Sequence, residues 1–127
     1  MIAVDTNVLV RLLTADDPAQ TSRAAALFEQ ESILIPNTVL LETEWVLRFS
    51  YGLSPAIILA AFRKLLGLPQ VTAEDCPALM RALDLFAVGM DFVDALHLAS
   101  SGGAESFATF DDRLKRRAGQ ALAIRLL

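Results

Sequence analysis

Four acidic residues of this chain could act together in catalysis: Asp5, Glu42, Asp94 and Asp111. Carboxylates that come close together repel one another and raise each other's pKa, so a cluster of four requires a compensating cation. The chain has only one histidine and one cysteine, and a ligand set made of oxygen atoms suits Mg²⁺ or Mn²⁺. Such ions activate water and stabilise the leaving oxygen in phosphodiester cleavage, so the chemistry predicted is hydrolytic phosphoryl transfer.

Each acid also has an ordinary structural interpretation. Asp5, Asp94 and Asp111 stand where aspartates commonly cap a helix or complement the dipole of its first turn. Glu42 shares one face of a predicted helix with apolar residues, among them Val39, Val46 and Phe49. A glutamate buried there without a partner would be costly, so Glu42 needs a cation or a hydrogen-bond network. Periodicity alone does not separate it from its neighbour Glu44, because this helix is apolar nearly all round.

The elements that must position these acids alternate along the chain. Predicted strands cover 1–4, 32–36, 70–73, 105–110 and 121–127, and predicted helices cover 8–13, 17–31, 37–51, 55–66, 75–88, 91–101 and 111–120. Asn37 and Ser54 are expected to cap their helices, and a pair of glycines is expected to end the sixth helix. This alternation indicates an α/β sandwich with a mostly parallel sheet.

A parallel sheet would bring the four acids to one edge. In open parallel sheets the functional crevice lies beyond the carboxyl ends of the strands. Asp5 and Asp111 directly follow the first and fourth predicted strands. Glu42 lies about one turn into the helix after the second strand, and Asp94 lies near the start of the helix before the fourth. We therefore expect the four side chains to converge.

Composition limits what kind of protein this is. The length of 127 residues fits a single domain with one core, and no uncharged apolar run approaches the ~18 residues of a membrane span. No secretory signal is visible, so a cytoplasmic location is expected. Cys76 is the only cysteine, which excludes an internal disulfide and a cysteine-cluster zinc site, and it is expected to be buried.

The charge distribution leaves room for a local contact with nucleic acid. The net charge of −4 argues against a general nucleic-acid coat. Four cations nevertheless fall within five residues of the last predicted helix: Arg113, Lys115, Arg116 and Arg117. They form either a phosphate-binding patch or a solvated helix face.

The motifs that surround the acids resemble those of a known family. They are DTNVL at 5–9, LLETEWVL at 40–47, DFVDALHLA at 91–99 and ATFDDRL at 108–114. Together they resemble the PIN-domain ribonucleases and, within them, the VapC-type toxins of prokaryotic toxin–antitoxin pairs. The resemblance covers the whole chain and implies a single PIN-like domain over 1–127. Its fold would be a three-layer α/β/α sandwich with a mostly parallel central sheet of four to five strands.

The resemblance also implies roles for individual residues. Asp5, Glu42, Asp94 and Asp111 would be the catalytic and metal-binding acids, with Asp5 the most central ligand. Asn7 would be the supporting amide of a D-x-N motif. Thr109 would match the small hydroxyl residue near the last acid, although a β-branched strand residue explains it equally well.

Several neighbours of the acids keep more than one interpretation. Asp91 binds metal weakly, orients the site or caps its helix, and capping is favoured. Asp112 either substitutes for Asp111 or is simply exposed. His97 lies one turn beyond Asp94, where a packed histidine is favoured over a metal ligand. Trp45 is interpreted as a core residue or a partner contact.

Substrate and partners are implied by the same resemblance. The expected activity is that of a Mg²⁺- or Mn²⁺-dependent endoribonuclease, the toxin of a VapBC pair, which forms a homodimer and is inhibited by a VapB-like antitoxin. Arg48 and the basic helix would contact RNA with a strong dependence on salt. The apolar segments 24–28 and 57–62 serve either as interfaces or as core. The alternative is a PIN-fold module that binds RNA or protein without nuclease activity, and DNA remains a possible substrate.

Overall fold

The computed structural model describes all 127 residues, which form an alternating series of strands and helices. In chain order the elements are β1 (Ile2–Ala3), α1 (Thr6–Thr14), α2 (Pro18–Gln30), β2 (Ile33–Ile35), α3 (Asn37–Phe49), α4 (Pro55–Leu66), β3 (Val71–Ala73), α5 (Cys76–Ala87), α6 (Phe92–Ala99), β4 (Phe107–Thr109), α7 (Asp112–Ala118) and β5 (Ile124–Leu126). Every predicted element is present, and the α/β fold class is confirmed.

The chain divides into two compact units, of which the first is Met1–Glu74. Its sheet has the strand order β1-β2-β3 with both pairs parallel, and Ile33 lies opposite Ile2 on one side and Val71 on the other. Helix α1 packs against α2 and α3, while α4 packs against α3 and β3. Leu9, Leu40 and Phe62 are fully buried, because the apolar faces of these helices meet one another and the sheet.

The second unit is Asp75–Leu127. Strands β4 and β5 pair in parallel, α7 packs against β5, and α5 packs against α6. The rings of Phe86 on α5 and Phe92 on α6 meet edge to face, with their centroids 5.4 Å apart. The second unit thus holds a parallel pair of strands, and the first unit holds a parallel sheet of three. The predicted parallel pairing is confirmed in both sheets.

A side-chain cap followed by a proline marks the starts of α2, α4 and α5. Asp17, Ser54 and Asp75 accept hydrogen bonds from the amides of the third residue beyond them, at 3.0, 3.3 and 3.0 Å. A proline stands in the first turn after each cap, where its missing N–H costs nothing. The predicted cap at Ser54 is confirmed.

Three local predictions are wrong. Asn37 makes no side-chain cap because it is the first helical residue of α3, and Pro36 holds the N-cap position. The Asn37 amide donates to Glu74 Oε1 at 2.7 Å. Helix α6 ends at Ala99, before the glycine pair, with Ser100 as its C-cap. Cys76 is exposed, because it occupies the first position of α5, which faces solvent.

None of the helices has the length and apolar character needed to cross a membrane.

Candidate metal centre

Two of the predicted acids, Asp5 and Glu42, are joined through Thr6. Asp5 follows β1 and is the N-cap of α1, where its Oδ1 accepts the Thr6 amide hydrogen at 2.7 Å. The Thr6 hydroxyl donates to Glu42 Oε1 in a short hydrogen bond. Both carboxylates are exposed, while Thr6 is only 5% exposed. A buried threonine thus holds one oxygen of each acid and leaves the other oxygens available to a ligand.

Sequence reasoning missed Thr6, although a signal for it was present. Helix α1 was expected to begin at Val8, which left Thr6 in a loop. It begins at Thr6 because Asp5 caps it, and Thr6, Leu9 and Val10 then share the buried face by helical spacing. A polar residue on that face needs a hydrogen-bond partner, and Glu42 supplies it.

Helix α3 buries a different face from the predicted one. Its buried residues are Leu40, Thr43, Glu44 and Leu47, and Glu42 is exposed. The assignment of Glu42 to a buried apolar stripe is therefore wrong, and the buried acid is its neighbour Glu44, 1% exposed. Glu44 pairs with Arg48 one turn later, with Oε1 and Nε 2.9 Å apart. That ion pair lets α3 bury a carboxylate while Glu42 faces solvent.

The exposed face of α3 is aromatic. Trp45 and Phe49 are 53% and 61% exposed, and their ring centroids lie 5.1 Å apart. Trp45 is therefore not a core residue, which leaves the interpretation as a partner contact. The Arg48 guanidinium lies 4.6 Å from the centre of the Phe49 ring, a cation–π distance. Arg48 thus has a structural role in α3, and its contact with RNA stays a prediction.

We expect Arg48→Ala to lower the free energy of unfolding by about 2 kcal/mol, because the buried carboxylate of Glu44 loses this cation. Urea unfolding followed by circular dichroism measures the change. The exposed Lys64 of α4 provides a control, since Lys64→Ala also removes one positive charge and should leave stability within about 0.5 kcal/mol. Equal stability of the two variants would show that the Glu44–Arg48 pair contributes nothing.

The second unit holds three acids that influence one another. Asp91 is the N-cap of α6, and its Oδ2 accepts the amide hydrogens of Val93 and Asp94 at 3.1 and 3.4 Å. Asp94 lies in the first turn of the same helix and is half-buried. Desolvation by burial raises the pKa of Asp94, and the negative charges of Asp91 and Asp111 raise it further. His97 opposes this increase.

His97 departs from its predicted environment. It was expected to be packed, but it lies on an exposed part of α6. The residues of α6 that are buried are Phe92, Ala95, Leu96, Leu98 and Ala99. The imidazole is therefore accessible to solvent and contributes to the charge around Asp94.

Asp111 is fixed by the start of α7. It is the N-cap of this helix, and its Oδ1 accepts the amide hydrogens of Arg113 and Leu114 at 2.9 and 3.3 Å. Its own amide donates to Thr109 Oγ1 at 3.0 Å, so Thr109 orients the turn that connects β4 to α7. The neighbouring Asp112 is exposed and pairs with Arg116 at 3.4 Å. Asp111 and Asp112 therefore have distinct environments despite their adjacency.

The basic residues of α7 are exposed. Arg116 is partly neutralised by Asp112, and Arg117 donates a short hydrogen bond to the carbonyl of Gly89. Arg113 and Lys115 form no ion pair. The helix therefore presents cations to solvent, and their contact with RNA stays a prediction.

The donor chemistry of both units fits a hard divalent cation. Each unit contributes carboxylate oxygens that are held by backbone amides or by a hydroxyl. Burial and then the negative charges of Asp91 and Asp111 raise the pKa of Asp94, and a cation would favour its ionised form. No three His, Cys, Asp or Glu side chains are grouped in the structure so as to hold a metal ion. The four-carboxylate centre therefore stays a prediction. Asn7, its predicted supporting amide, is exposed near the start of α1.

Comparison with known proteins gives a family match over nearly the whole chain. The model of the family described as PIN domain matches residues 2–120. No curated protein matches the chain.

Proposed function

The chain belongs to the PIN domain family, generally a metal-dependent nuclease fold, and from this membership we propose that it is an endoribonuclease that requires Mg²⁺ or Mn²⁺. The family match spans residues of both compact units, which supports the proposal that 1–127 acts as a single PIN-like domain. We propose Asp5, Glu42, Asp94 and Asp111 as the acids that hold the metal.

One observation carries this proposal: Asp94 is half-buried, and after this burial the negative charges of Asp91 and Asp111 raise its pKa further. Helix capping accounts for Asp91 and Asp111, but it does not account for the half-buried Asp94, whose ionised form their charges disfavour and a divalent cation would stabilise. Asp5 and Glu42 add two further carboxylates whose orientation is fixed by Thr6. This pattern is typical of a metal-binding nuclease and is not required by capping alone.

The proposed site consists of acids that hold the metal and of residues that orient these acids. When bound, Mg²⁺ or Mn²⁺ supplies an activated water and neutralises charge that develops on the phosphodiester. The carboxylates of the four acids would hold the ion. Amide or hydroxyl partners keep those of Asp5, Glu42 and Asp111 oriented, so that little reorganisation would accompany the reaction. Asp91, as the cap of α6, holds the first turn that carries Asp94. Thr109 accepts the Asp111 amide hydrogen and so holds the turn that carries Asp111.

We propose in addition that the protein is the toxin of a VapBC pair that acts in the cytoplasm. The motifs DTNVL, DALHLA and TFDD support this assignment. A VapB-like antitoxin would inhibit it, and the protein would form a homodimer. The exposed aromatic pair Trp45 and Phe49 supports a protein contact, since large exposed aromatic residues are enriched at interfaces.

Incubation of the purified protein with a mixed RNA pool tests the proposal. We expect fragments in the presence of Mn²⁺ or Mg²⁺ and none in the presence of EDTA. Cleavage that continues unchanged in EDTA would contradict the metal requirement. Binding to RNA or to a protein without cleavage under any of these conditions would favour the non-catalytic module.

Thr6→Val is expected to lower the cleavage rate about tenfold, because the loss of its hydroxyl frees Glu42 to adopt unproductive rotamers. Valine keeps the shape of threonine, and the backbone amide that binds Asp5 is unchanged. Initial rates at saturating Mn²⁺ measure the effect.

Thr6→Ser is the matched variant for this position. It keeps a hydroxyl in reach of Glu42, so most of the activity should return despite the loss of a buried methyl group. If Thr6→Ser and Thr6→Val are equally impaired, the defect comes from packing and the hydroxyl has no positioning role.

A further inference from the structure

A pocket of about 470 Å³ lies between α1 and α2 in the first unit. Its volume falls within the range of about 300–1,000 Å³ that is usual for small-molecule sites. Val8, Ala24 and Leu27 supply an apolar surface, and Val8 and Leu27 are only half-buried. Asn7 at the pocket wall stands two residues after Asp5, the N-cap of α1. The pocket wall therefore begins two residues along the chain from a proposed catalytic acid.

The polar part of the pocket is formed by two arginines and two amides. Arg11, Arg23, Asn7 and Gln20 line it, and none of its lining residues is acidic. Arg23 is exposed and forms no ion pair. Arg11 is paired with Asp16, so Arg23 is the uncompensated cation of the pocket, and it favours a ligand that carries negative charge.

A hydrogen-bond network holds Arg11 in place. Its Nε donates to Gln20 Oε1 at 2.7 Å, and its Nη1 contacts Asp16 at 3.1 Å and the Tyr51 hydroxyl at 3.3 Å. Tyr51 in turn donates to Asp16 Oδ2 at 2.6 Å, and this hydrogen bond is the largest cause that lowers the pKa of Asp16. The planar guanidinium is thus preorganised, and less freedom is lost when it stacks on a ligand.

We propose that this pocket binds one nucleotide of the RNA substrate, beside the phosphodiester that is cleaved. The inference rests on the proposed ribonuclease function. An unstacked base can lie on an arginine plane and an apolar surface, while amides such as Asn7 and Gln20 read its polar edge. The exposed Arg23 would contact the adjoining phosphate. The pocket would then determine which base is accepted next to the cleaved bond.

Nucleotide binding can be measured without catalysis. The full chain, kept in EDTA, is titrated with AMP, CMP, GMP or UMP while its amide NMR signals are recorded. We expect saturable shifts at Val8, Ala24 and Leu27 with at least one nucleotide, and weaker binding in Arg23→Ala. Shifts that inorganic phosphate alone reproduces, or that Arg23→Ala leaves unchanged, would overturn the proposal.

Cleavage kinetics give the second measurement. Arg23→Ala should raise KM for RNA about tenfold with little change in kcat, since the contact is made equally in the ground state and the transition state. Arg23→Lys should recover only part of this loss, because lysine keeps the charge but not the plane. Lys64→Ala removes an exposed charge elsewhere in the same unit and should keep the KM of the unaltered protein.

The possible outcomes separate this inference from the proposed function. If RNA is cleaved and Arg23→Ala has an unchanged KM, the pocket does not bind substrate, and a side chain of a protein partner becomes the better occupant. If no RNA is cleaved but nucleotides shift the pocket signals, the pocket binds nucleotides and the nuclease proposal fails.

Discussion

Asp5→Asn is expected to reduce metal-dependent RNA cleavage by about 100- to 1,000-fold, because the amide that replaces the carboxylate is a weaker metal ligand and carries no charge. The substitution has a useful structural property. Asn is as good an N-cap as Asp, so it can still accept the Thr6 amide hydrogen and start α1. The loss of activity should therefore come without a loss of stability. Initial rates with Mn²⁺ and thermal unfolding in EDTA measure the two effects.

Asp75→Asn is the matched control for Asp5→Asn. Asp75 is also an N-cap aspartate, which accepts the Ala78 amide hydrogen at the start of α5, but it has no proposed role in metal binding. Its activity should be that of the unaltered protein. If Asp5→Asn cleaves RNA at an undiminished rate, the proposed mechanism is wrong, whatever its metal dependence.

The sequence allowed the elements to be predicted because their signals are local. Asp17, Ser54 and Asp75 precede prolines at the starts of α2, α4 and α5, and each is a cap in the structure. Apolar periodicity then sets the approximate length of each helix. The pairing of strands is not local, so the order β1-β2-β3 in the first unit could not be deduced from strand patterns.

The buried face of α3 could not be predicted for a different reason. A helix that is apolar nearly all round has no unique buried stripe in its sequence, so Glu42 and Glu44 were indistinguishable. Tertiary contacts determine which of the two glutamates is buried. Glu44 can be buried because Arg48 lies one turn away on the same helix, and Glu42 is drawn to the Thr6 hydroxyl of α1. Neither partner is visible from hydrophobicity.

Asp94→Asn is expected to change how the stability of the fold depends on pH and on divalent metal. The pKa of Asp94 is raised above the ordinary aspartate value of 3.8, first by burial and then by Asp91 and Asp111. Between the ordinary and the raised value, the folded protein binds more protons than the unfolded chain does. Without metal, this group therefore makes stability fall as pH rises through that interval. Asp94→Asn removes the titrating group and should remove its contribution to the fall.

Divalent metal should reverse this pH dependence, so that the contribution of Asp94 to stability rises with pH. An ion that binds the ionised acids of the folded state stabilises it by about 2.7 kcal/mol when its concentration is 100 times Kd. Metal ligation also favours loss of the Asp94 proton, so the stabilisation should grow as pH rises toward neutrality. The variant Asp94→Asn should lose most of this stabilisation by metal. Thermal unfolding of both proteins from pH 4 to pH 8, in EDTA and in Mn²⁺, measures these differences.

Asp112→Asn distinguishes metal ligation from a general loss of negative charge. Asp112 lies in the same unit and loses one charge on substitution, but its exposed pair with Arg116 contributes at most about 1 kcal/mol. The variant should keep the stabilisation by Mn²⁺ and its dependence on pH. Should Asp94→Asn and Asp112→Asn respond to Mn²⁺ equally, the ion would be attracted by the net charge of the unit, and Asp94 would not be a ligand. If only Asp94→Asn loses the stabilisation by Mn²⁺, Asp94 is the carboxylate whose unfavourable burial and charge the metal offsets.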